Sequence, residues 1–327
     1  MLKLEKIKKT EVSRVCIVHT VYALFQYLLL SSVDEIKHTY FFFSDEKFIR
    51  FFPNSTVFLL KRGKIFKSKY LKAYFFLWKK RYLWPFLRDA EIYAQDHLLT
   101  DFVLLRGKRY VLLEDGLENY LEHSPKFRLK KLPFYPNGVY CWGEGKNCVL
   151  RLLSQQPPPD SSLRKKAFLH IDFFKLWRDS EKEKQEFIMK IFSVSPQDLE
   201  IFDRFDNLLL TQCFSEAGMI TEEAKIRCYR NIIDHYKLLP EKTLIKTHPK
   251  EKTDYSSFFP GCQVCSKIIP MELIAVHLQK SLQVYTVSSS GVFIFPKEQV
   301  VWCDTQFSPE LKEKYGSWKY PFPDSGN

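Results

Sequence analysis

Glycine is scarce in this chain: 11 of 327 residues. That excludes flexible Gly-rich linkers and collagen-like repeats, and an aromatic share of 16% argues against disorder. No self-similarity recurs at a period of about 20–50 residues, which removes repeat architectures. Paired cysteine motifs are missing as well. The eight cysteines are irregularly spaced, and Cys262-x-x-Cys265 has no second pair to complete a closed zinc site. They read as reduced thiols in a reducing, cytosolic compartment. The apolar segment "VCIVHTVYALFQYLLL" (15–30) is broken by His19, Thr20 and Gln26. It falls short of the roughly 20 residues of a spanning helix. No small-residue cleavage site follows it, so a signal peptide is not expected either. Helix-turn-helix, zinc-finger and RNP-type motifs are absent, so nucleic acid is not an expected partner.

Positive charge is present in excess, with a formal net charge of +12. Lysines and arginines cluster at 61–72, 79–81, 126–131 and 164–166, and aromatics interleave with them in "KAYFFLWKKRYLWPF" (72–86). A solvated face and attraction to an anionic membrane or substrate both account for this pattern.

The length suggests about two domains. In the first half, short apolar runs read as strands at Val15–Val18, Thr39–Phe43, Thr56–Leu60, Ala90–Tyr93, Phe102–Leu105 and Tyr110–Leu113. Helical patterns fall at Thr20–Leu30, Tyr70–Leu77 and Leu117–Leu121. The three prolines of "SQQPPPDSS" (154–162) favour an extended segment and read as a linker. The alternation then restarts, with strands at 208–212, 242–246 and 282–287 and helices at 221–239 and 270–278. Thr221 caps the first of these helices, with Glu222 and Glu223 in its opening turn. Strands alternating with helices predict parallel sheets covered on both faces. Ligands in such sheets bind at the carboxyl ends of the strands.

Four of those strand ends carry polar groups. Glu114-Asp115-Gly116 offers a carboxylate able to deprotonate a hydroxyl, although Asp-Gly is also ordinary turn chemistry. Lys246 and His248 are two positions apart, so both project to one face and suit a phosphate or carboxylate. Ser288-Ser289-Ser290 brings hydroxyls and backbone N–H groups that suit a phosphate or simply cap a helix. Thr211-Gln212 is followed closely by Glu216. The charged stretch after His248-Pro249, "KEKTDY", reads as solvated surface. His97 in "YAQDH" follows a predicted strand and reads as acceptor-facing or structural.

In chain order, "EDG", "KTHPKE" and "SSS" resemble the acidic-acidic-Gly, His-Pro and Ser-Ser/Thr motifs of bacterial sialyltransferases. The frame from "LLTQCFSEAGMITEE" through "IKTHPKEKTDY" to "IIPMEL" is most similar to glycosyltransferase family 52, the lipooligosaccharide sialyltransferase family. Capsule polysialyltransferases share a similar "HPKE" stretch. The resemblance is clearest over residues 205–295, with "YAQDH" and "LLEDG" as outposts.

That resemblance implies an α/β fold of GT-B type, with two facing Rossmann-like domains and a cleft between them. Residues 1–155 would form the acceptor-side domain, 156–165 the linker and 166–327 the CMP-binding domain. The last helix would return to the first domain. It implies an inverting transferase that needs no metal or cofactor and moves sialic acid from CMP-sialic acid to a glycan or lipooligosaccharide hydroxyl. Asp115 would be the general base with Glu114 beside it, and Glu216 stands near a second acid of the family. His248 would donate to the CMP phosphate, Lys246 would support the nucleotide and Pro249 would stiffen the turn. Ser288, Ser289 and Ser290 would hold the phosphate and Glu272 the ribose. The expected partners are the donor, a glycan or glycolipid acceptor, an anionic membrane surface and a second copy of the chain in a homodimer. The expected location is the cytoplasmic face of a bacterial inner membrane. A hexosyltransferase using another nucleotide sugar and a non-catalytic basic membrane protein are the alternatives.

Overall fold

The computed structural model describes residues 14–44, 48, 52, 57–59, 89–120, 129–132, 135–157, 162–318 and 320. It separates into two compact units, residues 1–193 and 194–327. The expected helix at Tyr70–Leu77 and the basic clusters at 61–72, 79–81 and 126–131 lie outside the described residues, apart from 129–131.

The first unit is built on a sheet of seven described strands. In chain order these are β1 (Arg14–Val18), β2 (Thr39–Phe43), β3 (Val57–Leu59), β4 (Glu91–Ala94), β5 (Tyr110–Leu113), β8 (Cys148–Leu153) and β9 (Phe168–His170). The short antiparallel pair β6 (Leu129–Leu132) and β7 (Tyr135–Tyr140) stands apart from it. The spatial order is β3-β2-β1-β4-β5-β8-β9, parallel throughout. Strands of such a sheet are covered on both faces, so their sequences are continuous apolar runs rather than alternating ones. "TYFFF" in β2 is buried at all five positions. Helix α1 (Val21–Leu30) starts where Thr20 Oγ1 accepts from the Ala23 N–H at 3.2 Å. A short α2 (Val33–Lys37) follows with a Ser32/Glu35 capping box.

One expected strand is a helix. Residues Leu99–Leu104 form α3, covering most of the run Phe102–Leu105. The Asp101 carboxylate accepts from the Leu98 N–H at 2.8 Å and satisfies a donor at the helix start. The polar pair Thr100-Asp101 thus begins a helical turn within a short apolar run, where periodicity alone does not separate strand from helix.

The contacts divide the chain between Ser193 and Val194, not at 156–165. The proline stretch connects β8 to β9 inside the first sheet, with Arg151 opposite Phe168 and Leu153 opposite His170. Helices α4 (Phe173–Arg178) and α5 (Lys182–Phe192) belong to the same unit. Phe25 of α1 lies 5.9 Å from Phe173, 6.2 Å from Trp177 and 6.2 Å from Phe192, ring centre to ring centre. Aromatic packing of this kind adds about 0.5–1.5 kcal/mol per pair beyond area burial. It holds residues 173–192 on the first sheet.

The second unit opens with α6 (Pro196–Glu200) and has a five-stranded parallel sheet: β10 (Asn207–Leu210), β11 (Thr243–Lys246), β12 (Gln263–Cys265), β13 (Gln283–Thr286) and β14 (Val300–Trp302). Its spatial order is β12-β11-β10-β13-β14. Helix α7 (Glu222–Tyr236) is capped by Thr221, whose hydroxyl accepts from the Ala224 N–H at 3.2 Å. It ends at Lys237 in the left-handed region, φ 52°. Ile226, Tyr229 and Ile232 bury against Leu209, Ile245 and Tyr285. Each such aliphatic burial stabilises by roughly 1.5–3 kcal/mol. The remaining helices are α8 (Tyr255–Phe258), α9 (Met271–His277) and α10 (Pro309–Tyr315). The eight cysteines are thiols rather than disulfides. Among the described residues no helix is long and apolar enough to cross a membrane.

Candidate active site

In an open parallel sheet, a crevice forms where the strand order reverses direction. Among the described strands, each unit has one such point. In the first sheet it lies between β1 and β4, and in the second between β10 and β13.

In the first unit, β1 delivers His19 and Thr20, β4 delivers Gln95, Asp96 and His97, and β5 delivers Glu114 and Asp115. Gln95 is fully buried and ties these three strand ends together. Its Oε1 accepts from the His19 N–H at 2.6 Å and the Thr20 N–H at 3.3 Å. Its amide nitrogen donates to Thr20 Oγ1 at 3.2 Å and to Asp115 Oδ1. The other Asp115 oxygen, Oδ2, lies 3.9 Å from His97 Nε2. Gly116, next in the chain, sits at φ 121°, ψ −141°, a region in which only glycine is comfortable.

His97 is held from below. Asp96 is buried and accepts from the Tyr110 hydroxyl (2.7 Å) and from the N–H groups of Trp142 (2.7 Å) and Gly143 (2.9 Å). Burial pushes its carboxyl above the usual range despite those donors. The turn it fixes carries Trp142 at φ 61° and Gly143 at φ 75°. A Cβ on Gly143 would come within 2.7 Å of Arg151 Cδ. The Trp142 ring stacks on His97 with centroids 4.7 Å apart and planes 9° from parallel. The His19 ring meets His97 edge-on at 5.6 Å, and its Nε2 lies 2.9 Å from Asp101 Oδ1. Three buried atoms there, His19 Nδ1, His97 Nδ1 and Trp142 Nε1, have no partner among the described residues.

Glu114 differs from Asp115 although it is adjacent. Its carboxylate accepts from the Ser154 N–H at 2.6 Å and the Ser154 hydroxyl at 3.2 Å. Burial pushes its pKa up to about 7. Glu114 therefore turns inward and anchors the end of β8, while Asp115 remains at the crevice.

In the second unit, β10 ends at Thr211-Gln212, β11 at Lys246-Thr247-His248 and β13 at Val287–Ser290. Lys246 is 5% exposed. Among the described residues, no carboxylate lies within ion-pair distance of its ammonium, whose recorded contact is the Thr247 carbonyl at 3.3 Å. Burial lowers its pKa, with Cys265 and Glu251 opposing. His248 Nδ1 accepts from the Lys250 N–H at 3.2 Å, which leaves the ring proton on Nε2. Pro249 is exposed. Ser289 caps a short 3-10 turn at Ser290–Ile294, its hydroxyl accepting from the Gly291 N–H at 3.3 Å. The hydroxyls of Ser288 and Ser290 have no partner among the described residues. Glu272 is buried in the first turn of α9.

Glu216 is engaged elsewhere. It accepts from the Lys225 ammonium at 3.0 Å and from the Lys252 N–H at 2.7 Å. Burial alone would raise its pKa, yet these donors hold it below the ordinary carboxylate range. The stretch after Pro249 is not a free solvated surface. The Glu251 side chain is 1% exposed, and its carboxylate accepts from the His248 N–H (2.6 Å), the Tyr255 hydroxyl and the Thr211 hydroxyl. Lys225, Glu251, Gln95, Asp96, His19 and Trp142 are absent from the sequence expectations. One signal was available for Lys225: a lysine at an apolar-face position of a helix, beside Ile226 and Tyr229. His19 follows β1 directly, so the strand-end rule applied to β1 also singles it out.

Two parallel α/β sheets with strand-end crevices make this an α/β fold of GT-B type. The GT-B domain of a sialyltransferase from Photobacterium damselae matches this chain with a TM-score of 0.51 at 13% identity, covering 88% of this chain and 89% of that one. A UDP-GlcNAc 2-epimerase from Neisseria meningitidis matches with a TM-score of 0.50 at 11% identity, covering 85% and 78%. These likenesses speak to the fold. The model of glycosyltransferase family 52 matches residues 59–304. An uncharacterized protein of Haemophilus influenzae is 30% identical over 306 residues, 91% of this chain and 96% of that one. The chain belongs to glycosyltransferase family 52, and the protein is a glycosyltransferase.

Proposed function

We propose that this glycosyltransferase is a metal-independent, inverting sialyltransferase using CMP-sialic acid. The observation that carries the reading is the end of β11. There a buried ammonium with no carboxylate at ion-pair distance among the described residues, Lys246, is followed by an imidazole with its proton on Nε2, His248. A buried cation costs several kcal/mol unless an anion compensates it, and a nucleotide phosphate is such an anion. The open hydroxyls of Ser288 and Ser290 extend the phosphate site, and Glu272 accepts from the ribose.

On this reading the acceptor oxygen attacks the anomeric carbon of the sialyl group as the bond from that carbon to the phosphate oxygen breaks. The hydroxyl proton passes to Asp115 Oδ2, while Gln95 holds Oδ1. CMP leaves with its phosphate charge stabilised by Lys246 and by the His248 Nε2–H. Asp115 is favoured over Glu216 as base because the Glu216 carboxylate is already committed to Lys225 and Lys252. His97, stacked on Trp142, lies beside Asp115 and suits an acceptor sugar. The acceptor is a cell-surface glycan such as lipooligosaccharide. The enzyme works peripherally at the inner membrane face. Of the basic cluster 164–166, Lys166 is committed to the carbonyls of Gly143 and Gly145.

The test is CMP release from CMP-sialic acid, with and without acceptor oligosaccharides. The wild type should release CMP only in the acceptor's presence. Full activity in both Asp115→Ala and His248→Ala would sink the mechanism. Thermal stabilisation by UDP and not by CMP would replace the donor with a UDP-sugar.

A further inference from the structure

One polar network remains that the chemistry above does not use. The Lys225 ammonium, on α7, is 0% exposed. Three carboxylates converge on it: Glu216 at 3.0 Å, Glu222 at 3.1 Å and Glu251 at 3.8 Å. Glu251 belongs to the loop after β11, and the other two grip that loop from outside it. Glu251 takes the His248 N–H at 2.6 Å, Glu216 takes the Lys252 N–H at 2.7 Å, and Glu222 takes the Thr253 hydroxyl at 2.5 Å. Glu251 additionally holds Thr211 at the end of β10 and Tyr255 at the start of α8. A buried ion network is weak evidence for added stability, because desolvation offsets most of the attraction. Its consequence is geometric: the acceptors it gathers lie only where this one loop conformation can reach them.

We infer that Lys225 and Glu251 are positioning residues for His248, coupling helix α7 to the loop 247–253 so that the His248 ring is pre-set for the donor phosphate. The inference rests on the proposed nucleotide role of His248. Removing the ammonium leaves three carboxylates to repel one another, and the loop loses its anchors together.

Two variants test it, Lys225→Met and the milder Thr253→Val, which leaves no buried charge unpaired. In the ligand-free protein, hydrogen exchange at the His248 and Lys252 amides should accelerate about tenfold or more in Lys225→Met, and several-fold in Thr253→Val. Amides in the middle of α7 should keep their protection. The dissociation constant for CMP and the donor KM should rise about tenfold in Lys225→Met, with acceptor KM unchanged. A smaller folded fraction would move neither KM. Wild-type loop protection in both variants overturns the inference, as does a loosened loop with unchanged CMP affinity. Should Lys225→Met not fold, Thr253→Val decides. A wild type that binds no CMP refutes the donor reading instead, and the exchange data still decide the positioning.

Discussion

The two crevices are built on the same topological rule and filled in opposite ways. In the first unit the strand ends are knitted by a neutral amide, Gln95, and the groups around it are carboxylates and imidazoles. Around His97, three buried ring nitrogens have no partner among the described residues. In the second unit the strand end carries an ammonium with no carboxylate at ion-pair distance among the described residues, and Glu216 and Glu251 gather around Lys225 instead. A crevice of carboxylates and imidazoles around a buried amide suits a sugar hydroxyl that gives up its proton. A cationic one suits a phosphate. The difference teaches that a parallel sheet fixes where a ligand sits, while the few residues after each strand fix its charge.

The sharpest way to break this comparison is to remove the reacting group from each side. Asp115→Ala and His248→Ala should each lower kcat by about 100-fold or more, measured as acceptor-dependent CMP release. Their profiles should differ: Asp115→Ala leaves CMP affinity unchanged, and His248→Ala weakens it. Equal effects on CMP affinity would erase the distinction between the crevices.

The next largest effect concerns stability. Burial raises the Glu114 pKa from 4.5 to about 7, so the fold favours its neutral form. This contribution is fully present below the unfolded value and is lost as pH rises through the folded one. It amounts to about 3 kcal/mol over that window. Glu114→Gln should therefore flatten the decline of Tm between pH 4.5 and 7. An unchanged slope would show that Glu114 is ionised at little cost. Smaller still, Lys246→Met should weaken CMP binding about tenfold in a titration and make it less salt-dependent. Smallest, His97→Ala should raise acceptor KM a few-fold, about 1 kcal/mol, with donor KM unchanged. A donor effect there would move His97 out of the acceptor role.

Much of this was legible beforehand for plain reasons. β1, β2, β5, β10, β11 and β13 are short apolar runs closed by polar residues, and burial on both faces demands such runs. The strand-end motifs at Glu114-Asp115, Lys246–His248 and Ser288–Ser290 were legible because polar groups there close apolar runs. Other elements were hidden. The run Phe102–Leu105 looks like a strand, and only the Asp101 carboxylate, reaching back to the Leu98 N–H, shows a helix start. The residues after the expected linker at 156–165 look like a new domain. Yet β9 adds to the first sheet, and Phe173, Trp177 and Phe192 pack on Phe25.

The sequence by itself determined the alternation of strands and helices, the polar strand ends and the family pattern. These are local properties, written in periodicity and in contiguous motifs. Only the tertiary structure decided how neighbours in sequence divide their roles. Glu114 anchors β8 while Asp115 meets the crevice, and Glu251, in a run of charges that looks solvated, lies buried against His248 and Thr211. Those outcomes depend on groups 40 or more residues away, such as Ser154 for Glu114 and Thr211 for Glu251. No local pattern encodes a hydrogen bond across that separation.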